Sequence, residues 1–344
     1  MERKKKNLVI SILAFFLAVC VLALVLKDAK TQKYTAKEKS FIAMGTVVTE
    51  KLYGKNDLDS AAEAIESIVA ELEDEISWRK SGSPINRLNE NFSVNADKEI
   101  IDVIEKCIDV YEKSDGVFDI TVGKLTSLWN IGDENARVPQ SEEIKSALQC
   151  VDSSKVKISN DKIEIGENQF VDLGAIGKGL ACDKISEYLK TTKSDAAVVS
   201  VGGSVLLYGQ SPRSDKWNVA IRDPRGESSD YVAVVSLGSS FVSTSGDYER
   251  VLESEGKSYH HILDPKTGYP AESDLISVTV VCDNGLLSDA LSTACFVLGK
   301  DMGTELLEKF GAQGVFIDEN KNIFVTDGLK DSFTLKNSLY KYEG

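Results

Sequence analysis

Two stretches in the first third of the chain repeat apolar residues every three or four positions. The first spans residues 56–78 and the second spans residues 98–116. This spacing predicts two amphipathic helices, each packing one face on a core. The inward residues would be Ile65, Ile68, Leu72 and Ile76 in the first helix, and Ile101, Ile104, Ile108 and Tyr111 in the second. The stretch WRKSGSPINRLN (78–89) between them is rich in Gly, Ser, Pro and Asn and predicts a loop.

The remainder of the chain is richer in short runs with β-branched residues. These runs are VKIS, KIEI, AAVVSV, SVLLYG, WNVAI, YVAVVSL and LISVTVVC. Two helical patterns, at about 179–190 and 287–298, interrupt them. This order predicts an α+β fold in which helices cover mainly antiparallel sheets.

Residues 1–26 differ in composition from the remainder of the chain. A basic cluster within residues 1–7 precedes an apolar run at 8–26 that only Ser11 interrupts. As a helix rising about 1.5 Å per residue, this run nearly matches a hydrocarbon core of about 30 Å. The positive-inside rule keeps the basic cluster in the cytoplasm and sends the following residues to the extracytoplasmic side. Residues 27–40 would then be a polar tether to a folded domain at 41–344.

Two interpretations of the apolar run stay open. One is an uncleaved transmembrane anchor, which its length favours because the apolar part of a signal peptide usually has only about 7–15 residues. The other is a lipoprotein signal, since LAVC (17–20) would make Cys20 the lipidated residue, although Val19 is bulkier than usual there. Both predict attachment to the cytoplasmic membrane, with the folded domain outside.

Charge and cysteine content narrow the possible partners. The chain has a net charge of −14, and its first 40 residues hold nine basic and only three acidic side chains, so the rest is more acidic still. Nucleic acid is therefore excluded as a partner, and any phosphate substrate needs a metal ion or well-placed lysines. The five cysteines after Cys20 form no C-x-x-C pair and are expected to be mostly buried free thiols.

A glycine-rich turn in QFVDLGAIGKGLACDKI (169–185) is the first candidate site. An apolar strand end followed by a turn and a helix would expose amides to an anionic phosphate, and Lys178 adds a positive charge. The order of glycines fits neither the P-loop nor the dinucleotide-binding pattern. A plain strand-to-helix turn is an equally good interpretation of the segment alone.

Two more segments carry candidate chemistry. In LLSDALSTACFVLG (286–299), Asp289 and Thr293 share a helix face and could bind Mg²⁺, or Asp289 could simply offset the helix dipole. HHILDPKTGYP (260–270) contains the only two histidines of the chain. Alternation along an extended segment aims them at opposite faces, so one at most reaches a given site. His261 is the candidate proton acceptor, whereas the Asp-Pro and Thr-Gly pairs also suit a purely structural turn.

These segments together resemble the ApbE-type FAD:protein FMN transferase (flavin transferase) family. The matching stretches are AMGTVV (43–48), INRLN (85–89), DGVFDITVG (115–123), VDLGAIGKGLACDKI (171–185), SVGG (200–203), STSGDYER (243–250), HHILDPKTGYP (260–270) and SDALSTACFVLG (288–299). The chain departs from the family pattern at Pro84, Gly177 and Ser204, where the family usually has an acidic residue, Ala and Asn.

The resemblance implies a T-fold-like α+β architecture with FAD, the substrate, in a cleft. Mg²⁺ would be held by the Ala175 carbonyl, Asp289 and Thr293, and His261 would accept the proton of the attacking hydroxyl. The residues that would contact FAD are Met44, Trp78, Phe118, Asp119, Ile120, Asp172, Lys178 and Ile262.

The reaction that the resemblance implies transfers FMN from FAD to a Thr or Ser of a target flavoprotein, with release of AMP. The targets would be subunits of membrane redox complexes or secreted flavoproteins, which agrees with an extracytoplasmic domain tethered to the membrane. Two alternatives stay open: hydrolysis of FAD to FMN and AMP, and a non-catalytic extracellular flavin-binding protein.

Overall fold

In a computed structural model, which describes residues 35–54, 57–192 and 194–343, seventeen strands are found. In chain order they are β1 (Thr35–Ala43), β2 (Thr46–Gly54), β3 (Ser93–Asn95), β4 (Lys157–Ser159), β5 (Lys162–Glu164), β6 (Ser194–Val201), β7 (Ser204–Gly209), β8 (Trp217–Arg222), β9 (Tyr231–Leu237), β10 (Ser240–Gly246), β11 (Val251–Ser254), β12 (Lys257–His260), β13 (Leu275–Cys282), β14 (Gln313–Asp318), β15 (Asn322–Val325), β16 (Phe333–Leu335) and β17 (Lys341–Glu343).

The α-helices of the described residues alternate with these strands. They are α1 (Leu58–Ile76), α2 (Pro84–Asn91), α3 (Lys98–Lys113), α4 (Gly123–Trp129), α5 (Ser141–Leu148), α6 (Gly177–Thr191), α7 (Gly285–Leu298), α8 (Lys300–Lys309) and α9 (Asp327–Lys330).

Nine of the strands form one sheet in the order β1-β2-β6-β7-β10-β13-β14-β15-β17. Every neighbouring pair is antiparallel except β15 and β17. Helices including α1, α6 and α7 bury one face of this sheet, and the small sheet β16-β9-β8 covers the other. The predicted α+β class with mainly antiparallel pairing is thus confirmed.

The apolar patterns located most of these elements correctly. The two amphipathic stretches form α1 and α3, although Ile68, Ile108 and Tyr111 are only half-buried. The predicted β runs form β4 to β9 and β13, and the two later helices begin two residues earlier than expected, at Gly177 and Gly285. Of the cysteines in the described residues, all five are free, and only Cys150 is not fully buried.

Two expectations about local structure were wrong. Residues 84–89 of the predicted loop instead belong to α2, because the Ser83 hydroxyl accepts the Asn86 N–H (2.9 Å) and Pro84 occupies the first turn. Ile85 and Leu88 are fully buried, but two apolar residues are too few to display a helical period. The apolar stretch before Asp172 is no strand either, since Phe170 makes only a single bridge, to Val122.

The predicted tether and apolar run fall mostly before the described residues. Residues 35–40 of that tether instead form the first part of β1, because they pair with β2 along its full length. The apolar run at 8–26 lies outside the described residues. Within the described ranges, no helix has both the length and the apolar character needed to span a bilayer.

Candidate active site

The turn between β1 and β2 forms one edge of the candidate site. Met44 and Gly45 both have positive φ angles, of 51° and 66°. The strained Met44 conformation is fixed by its N–H, which donates to the Glu73 carboxylate at the end of α1 (3.0 Å). The Met44 Cε atom lies 3.6 Å from the position that a Cβ on Gly177 would take. The turn is therefore adjacent to residues 174–179, called the glycine-lysine segment below.

The glycine-lysine segment uses its amides differently from the phosphate-binding turn expected. Three of them donate within the protein: Gly174 to the Asp172 carboxylate (2.8 Å), Gly177 to the Leu173 carbonyl (3.1 Å) and Gly179 to the Asp289 carboxylate (2.9 Å). These amides are not free for a phosphate. The cation that the segment presents is the ammonium of Lys178, whose Nζ lies 3.6 Å from Asp289 Oδ1.

Helices α6 and α7 approach each other most closely at a pair of glycines. A Cβ added to Gly179 would overlap the carbonyl oxygen of Gly285, and one added to Gly285 would overlap that of Gly179. Asp183 of α6 also caps α7, accepting the N–H groups of Gly285 (2.7 Å) and Leu286 (2.8 Å). The start of α7, and with it Asp289 one turn later, is thus fixed against α6.

The three oxygen donors predicted to hold a metal lie in these two helices or just before the first of them. Asp289 is only 3% exposed, and Thr293 follows it by one helical turn. Because Gly179 N–H bonds to Asp289 rather than to the carbonyl four residues before it, the Ala175 carbonyl accepts no hydrogen bond from the described residues. A carboxylate, a hydroxyl and a free carbonyl are ligands that a hard cation such as Mg²⁺ prefers.

This donor set contains a single acidic side chain. Among residues 35–54, 57–192 and 194–343, no group of three or more His, Cys, Asp or Glu side chains could hold a metal ion. A cation here would therefore complete its coordination with water or substrate oxygens, as Mg²⁺ commonly does. The residues present fit such an ion.

A row of hydroxyl groups joins β10 to α7. Ser243 Oγ lies 2.8 Å from Ser288 Oγ, and Ser245 Oγ lies 2.8 Å from Ser292 Oγ and 3.4 Å from Thr293 Oγ1. These buried contacts fix the rotation of α7 about its axis. Asp289 of the same helix contacts the Gly179 amide, and Thr293, one turn later, lies beside Ser245.

The two histidines have different environments. The His260 ring lies between Ala271 O, 3.1 Å from Nε2, and the Ile262 N–H, which donates to Nδ1 (3.3 Å), and it packs edge-on against Phe296. His261 Nδ1 is buried and has no partner among the described residues. Burial lowers the pKa of His261 to about 3, and the positive charges of Arg250 and Lys178 add to this effect. His261 is therefore a neutral imidazole at neutral pH.

Most of the residues predicted to contact FAD are buried or make contacts within the protein. Phe118, Asp119, Ile120 and Ile262 are buried, and Asp172 is half-buried. The Asp119 carboxylate accepts bonds from the amides and hydroxyls of Thr121 and Ser153, so this side chain supports the loop. Asp172 likewise accepts the Thr126 hydroxyl (2.7 Å). Trp78 packs against Phe170, with 5.0 Å between ring centroids, and under the Arg79 guanidinium.

Sequence reasoning gave no role to several residues that build this site. They are Asp183, Ser243, Ser245, Glu249 and Arg250. The only available signal was their presence in the segments VDLGAIGKGLACDKI and STSGDYER, which carry the family resemblance. Their contacts link residues as far apart as Asp183 and Leu286, which no local pattern reveals.

The site combines groups of the kinds that enzymes use, namely a neutral histidine, a lysine and hard oxygen donors. The chain belongs to the ApbE family, whose model matches residues 44–316. This match includes every candidate site residue named above.

Relatives and a solved structure agree with this assignment. A FAD:protein FMN transferase of Treponema pallidum is 33% identical over 88% of this chain and 89% of its own length. One of Haemophilus influenzae is 30% identical over 93% and 96%. The crystal structure of the ApbE protein of Thermotoga maritima superposes with a TM-score of 0.79 at 33% identity, covering 87% of this chain and 99% of that one.

Proposed function

We propose that the protein is a Mg²⁺-dependent FAD:protein FMN transferase. It would join the FMN half of FAD to a Thr or Ser hydroxyl of a target flavoprotein through a phosphoester and release AMP. The observation that carries the proposal is the buried, unpartnered Nδ1 of the neutral His261, on which the Lys178 charge acts while Lys178 itself contacts the predicted metal ligand Asp289. The activity of the Treponema and Haemophilus relatives supports the same reaction.

The residues of this chain would have separate roles in phosphoryl transfer. Mg²⁺, held by Ala175, Asp289 and Thr293, would supply charge neutralisation at the pyrophosphate. Lys178 would bind a pyrophosphate oxygen, and His261 would accept the proton of the attacking hydroxyl. Because cations help to lower the His261 pKa, the negative charge of bound FAD should raise it toward neutrality, where a base is most effective.

The remaining predicted contacts would hold the flavin half of FAD. Met44 and Ile262 would line the ring system, and the main chain of residues 118–120 would bind it, since the Asp119 side chain is used internally. Asp172 would keep the loop before Lys178 in shape. The indole of Trp78 would stack on the flavin by leaving its contact with Phe170.

Mass spectrometry tests the transferase activity directly. A soluble chain beginning at residue 35 is mixed with FAD, Mg²⁺ and a candidate acceptor protein, and both the acceptor mass and AMP release are measured. We expect an FMN adduct on the acceptor together with an equal amount of AMP. AMP without an adduct would indicate FAD hydrolysis, and neither product would indicate a flavin-binding protein.

Removal of the carboxylate tests the metal site. Asp289→Ala is expected to abolish Mg²⁺-dependent transfer and to lose Mn²⁺ binding, measured by electron paramagnetic resonance as a rise in free Mn²⁺. Asp301→Ala, at an exposed carboxylate on α8, is the matched control and should retain both. Full transfer in the presence of EDTA would refute the metal assignment.

The proposed location is the extracytoplasmic face of the cytoplasmic membrane. The apolar run at 8–26 supports it, because an anchor there would keep the enzyme beside membrane redox subunits or secreted flavoproteins. Metabolic labelling of the wild type and of Cys20→Ser with a radioactive fatty acid separates the two forms of attachment. A lipoprotein carries the label and loses it when Cys20 is replaced, whereas an anchored chain is unlabelled in both cases.

A further inference from the structure

Arg250 lies directly across from His261 at the open end of a hairpin. Val251 pairs with His260 in the β11–β12 ladder, and His261 N–H donates to the Arg250 carbonyl (3.2 Å), which extends the pairing by one position. Opposed residues of an antiparallel pair have their side chains on the same face. Arg250 therefore shares the face of His261, opposite to that of His260.

The side chain of Arg250 spans from the loop at Gly132 to the turn between β1 and β2. Its Cδ lies 3.0 Å from the position that a Cβ on Gly132 would take, and Gly132 has a φ of 96°. Its Nη2 lies 3.6 Å from the corresponding position on Gly45. The aliphatic part of the side chain thus lies beside Gly132, and the guanidinium reaches the turn that carries Met44.

The Arg250 guanidinium has no ion-pair partner among the described residues, although the chain has a net charge of −14. Two other arginines, Arg137 and Arg225, make paired contacts with Glu143 and Asp247. The nearest acid in sequence, Glu249, has its pKa raised by its enclosed position, an effect that Lys178 and Arg250 oppose. It forms no ion pair with Arg250 in the described structure.

We propose that Arg250 is a catalytic residue of the transfer reaction, and this rests on the proposed function. Its planar guanidinium would hold two non-bridging oxygens of the phosphorus that moves, which suits a bidentate donor. The acceptor hydroxyl oxygen forms a bond to that phosphorus while the bond to the AMP oxygen breaks. The hydroxyl proton passes to His261, AMP leaves with the bonding electron pair, and Arg250 stabilises the charge on the equatorial oxygens.

The steady-state and single-turnover kinetics of Arg250→Ala and Arg250→Lys test this role. Removal of one transition-state donor lowers kcat by about 100-fold or more, and this is the loss expected for Arg250→Ala. FAD affinity, measured from flavin fluorescence, should weaken less than kcat falls. Added ethylguanidinium should restore part of the transfer by Arg250→Ala, which a purely structural side chain would not permit. Arg250→Lys should keep more activity than Arg250→Ala.

Arg213→Ala, at an exposed arginine in the loop before β8, is the matched control and should behave as wild type. The proposal is overturned if Arg250→Ala keeps kcat within about threefold of wild type, or if only its KM changes. It is also overturned if its loss of activity resists ethylguanidinium. Absence of transfer by the wild type in the same assay would instead refute the proposed function.

Discussion

The two adjacent histidines show how much one step along a strand changes a side chain's chemistry. His260 is half-buried with both ring nitrogens near backbone partners, whereas His261 has a buried nitrogen without one. The first arrangement stabilises the hairpin. The second leaves a lone pair or a proton available for a reaction.

Substitution of each histidine should separate these two roles. We expect His261→Ala to lose FMN transfer while FAD binding and the melting temperature stay near wild type. His260→Ala should lower the melting temperature, because it removes two hydrogen bonds and the contact with Phe296. Calorimetry and the mass-spectrometric assay measure both effects. Loss of transfer in His260→Ala alone would reverse the assignment.

Glu50 is a buried acid that the proposed reaction does not use. It lies on β2 between Val48 and Leu52, is 3% exposed, and neither carboxylate oxygen has a partner among the described residues. Burial raises its pKa from 4.5 to about 8, and nearby Lys39 only partly offsets this. The folded chain keeps a proton that the unfolded chain releases, so stability is lost as pH rises from about 4.5 to 8.

Glu50→Gln should remove this pH dependence. Well below pH 4.5 we expect its melting temperature to match the wild type, since both side chains are then neutral in the folded and the unfolded chain. At pH 8 the variant should be more stable, by on the order of a few kcal/mol. Glu63→Gln, at an exposed position on α1, is the control and should show no such divergence. A constant difference across the pH range would contradict the expectation.

At the scale of elements, the crossing of α6 and α7 determines the geometry of the donor set. Gly179 and Gly285 have no side chains at the crossing, so the two backbones come into contact there. The Gly179 amide can reach Asp289 only because of this approach (2.9 Å). The distance between α6 and α7 therefore determines where the Asp289 carboxylate lies.

Gly179→Ala is expected to force the helices apart. The added methyl overlaps the Gly285 carbonyl, and overpacking of this kind costs about 1–3 kcal/mol. Asp289 would lose its amide donor, so transfer should fall together with the melting temperature. Gly238→Ala, which adds a methyl with no atom within 4 Å, should leave both unchanged. An unaltered melting temperature for Gly179→Ala would show that the crossing is less tight than described.

The elements were more predictable than the contacts between them. Periodicity located α1 and α3 because each buries a stripe over several turns, and it failed for α2, which has two buried apolar residues and a capping serine. The pairing of Arg250 with His261 depends on the register of a hairpin, and that of Asp183 with α7 depends on tertiary packing. Neither of these two contacts produces a periodic sequence pattern from which it could be predicted.

At the scale of the whole molecule, negative charge opposes the approach of an anionic dinucleotide. The net charge is −14, and Lys178 and Arg250 are the cations that act on His261 at the site. The composition alone indicated that local cations or a metal would be needed. It could not identify Arg250, whose position depends on folding.

Ionic strength should therefore speed FAD association. When salt rises from about 0.01 to 0.15 M, the Debye length falls from about 30 to 8 Å, which screens the repulsion by the whole protein more than contacts within the site. We expect the FAD on-rate from stopped-flow fluorescence at fixed Mg²⁺ to rise. Uncharged riboflavin is the control and should show no salt dependence. A falling FAD on-rate would mean that the local cations dominate at long range.

The two oxygens of Asp289 are already assigned, one to the Gly179 amide and the other to Lys178 at 3.6 Å. A cation that binds the second oxygen would repel the ammonium, which would then be free for a phosphate. Metal and FAD would thus each raise the affinity for the other, by the same factor in both directions. The contact between Asp289 and Lys178 would be replaced by two ion pairs, one between Asp289 and the metal and one between Lys178 and a phosphate. Each ligand alone would therefore bind more weakly than in the presence of the other.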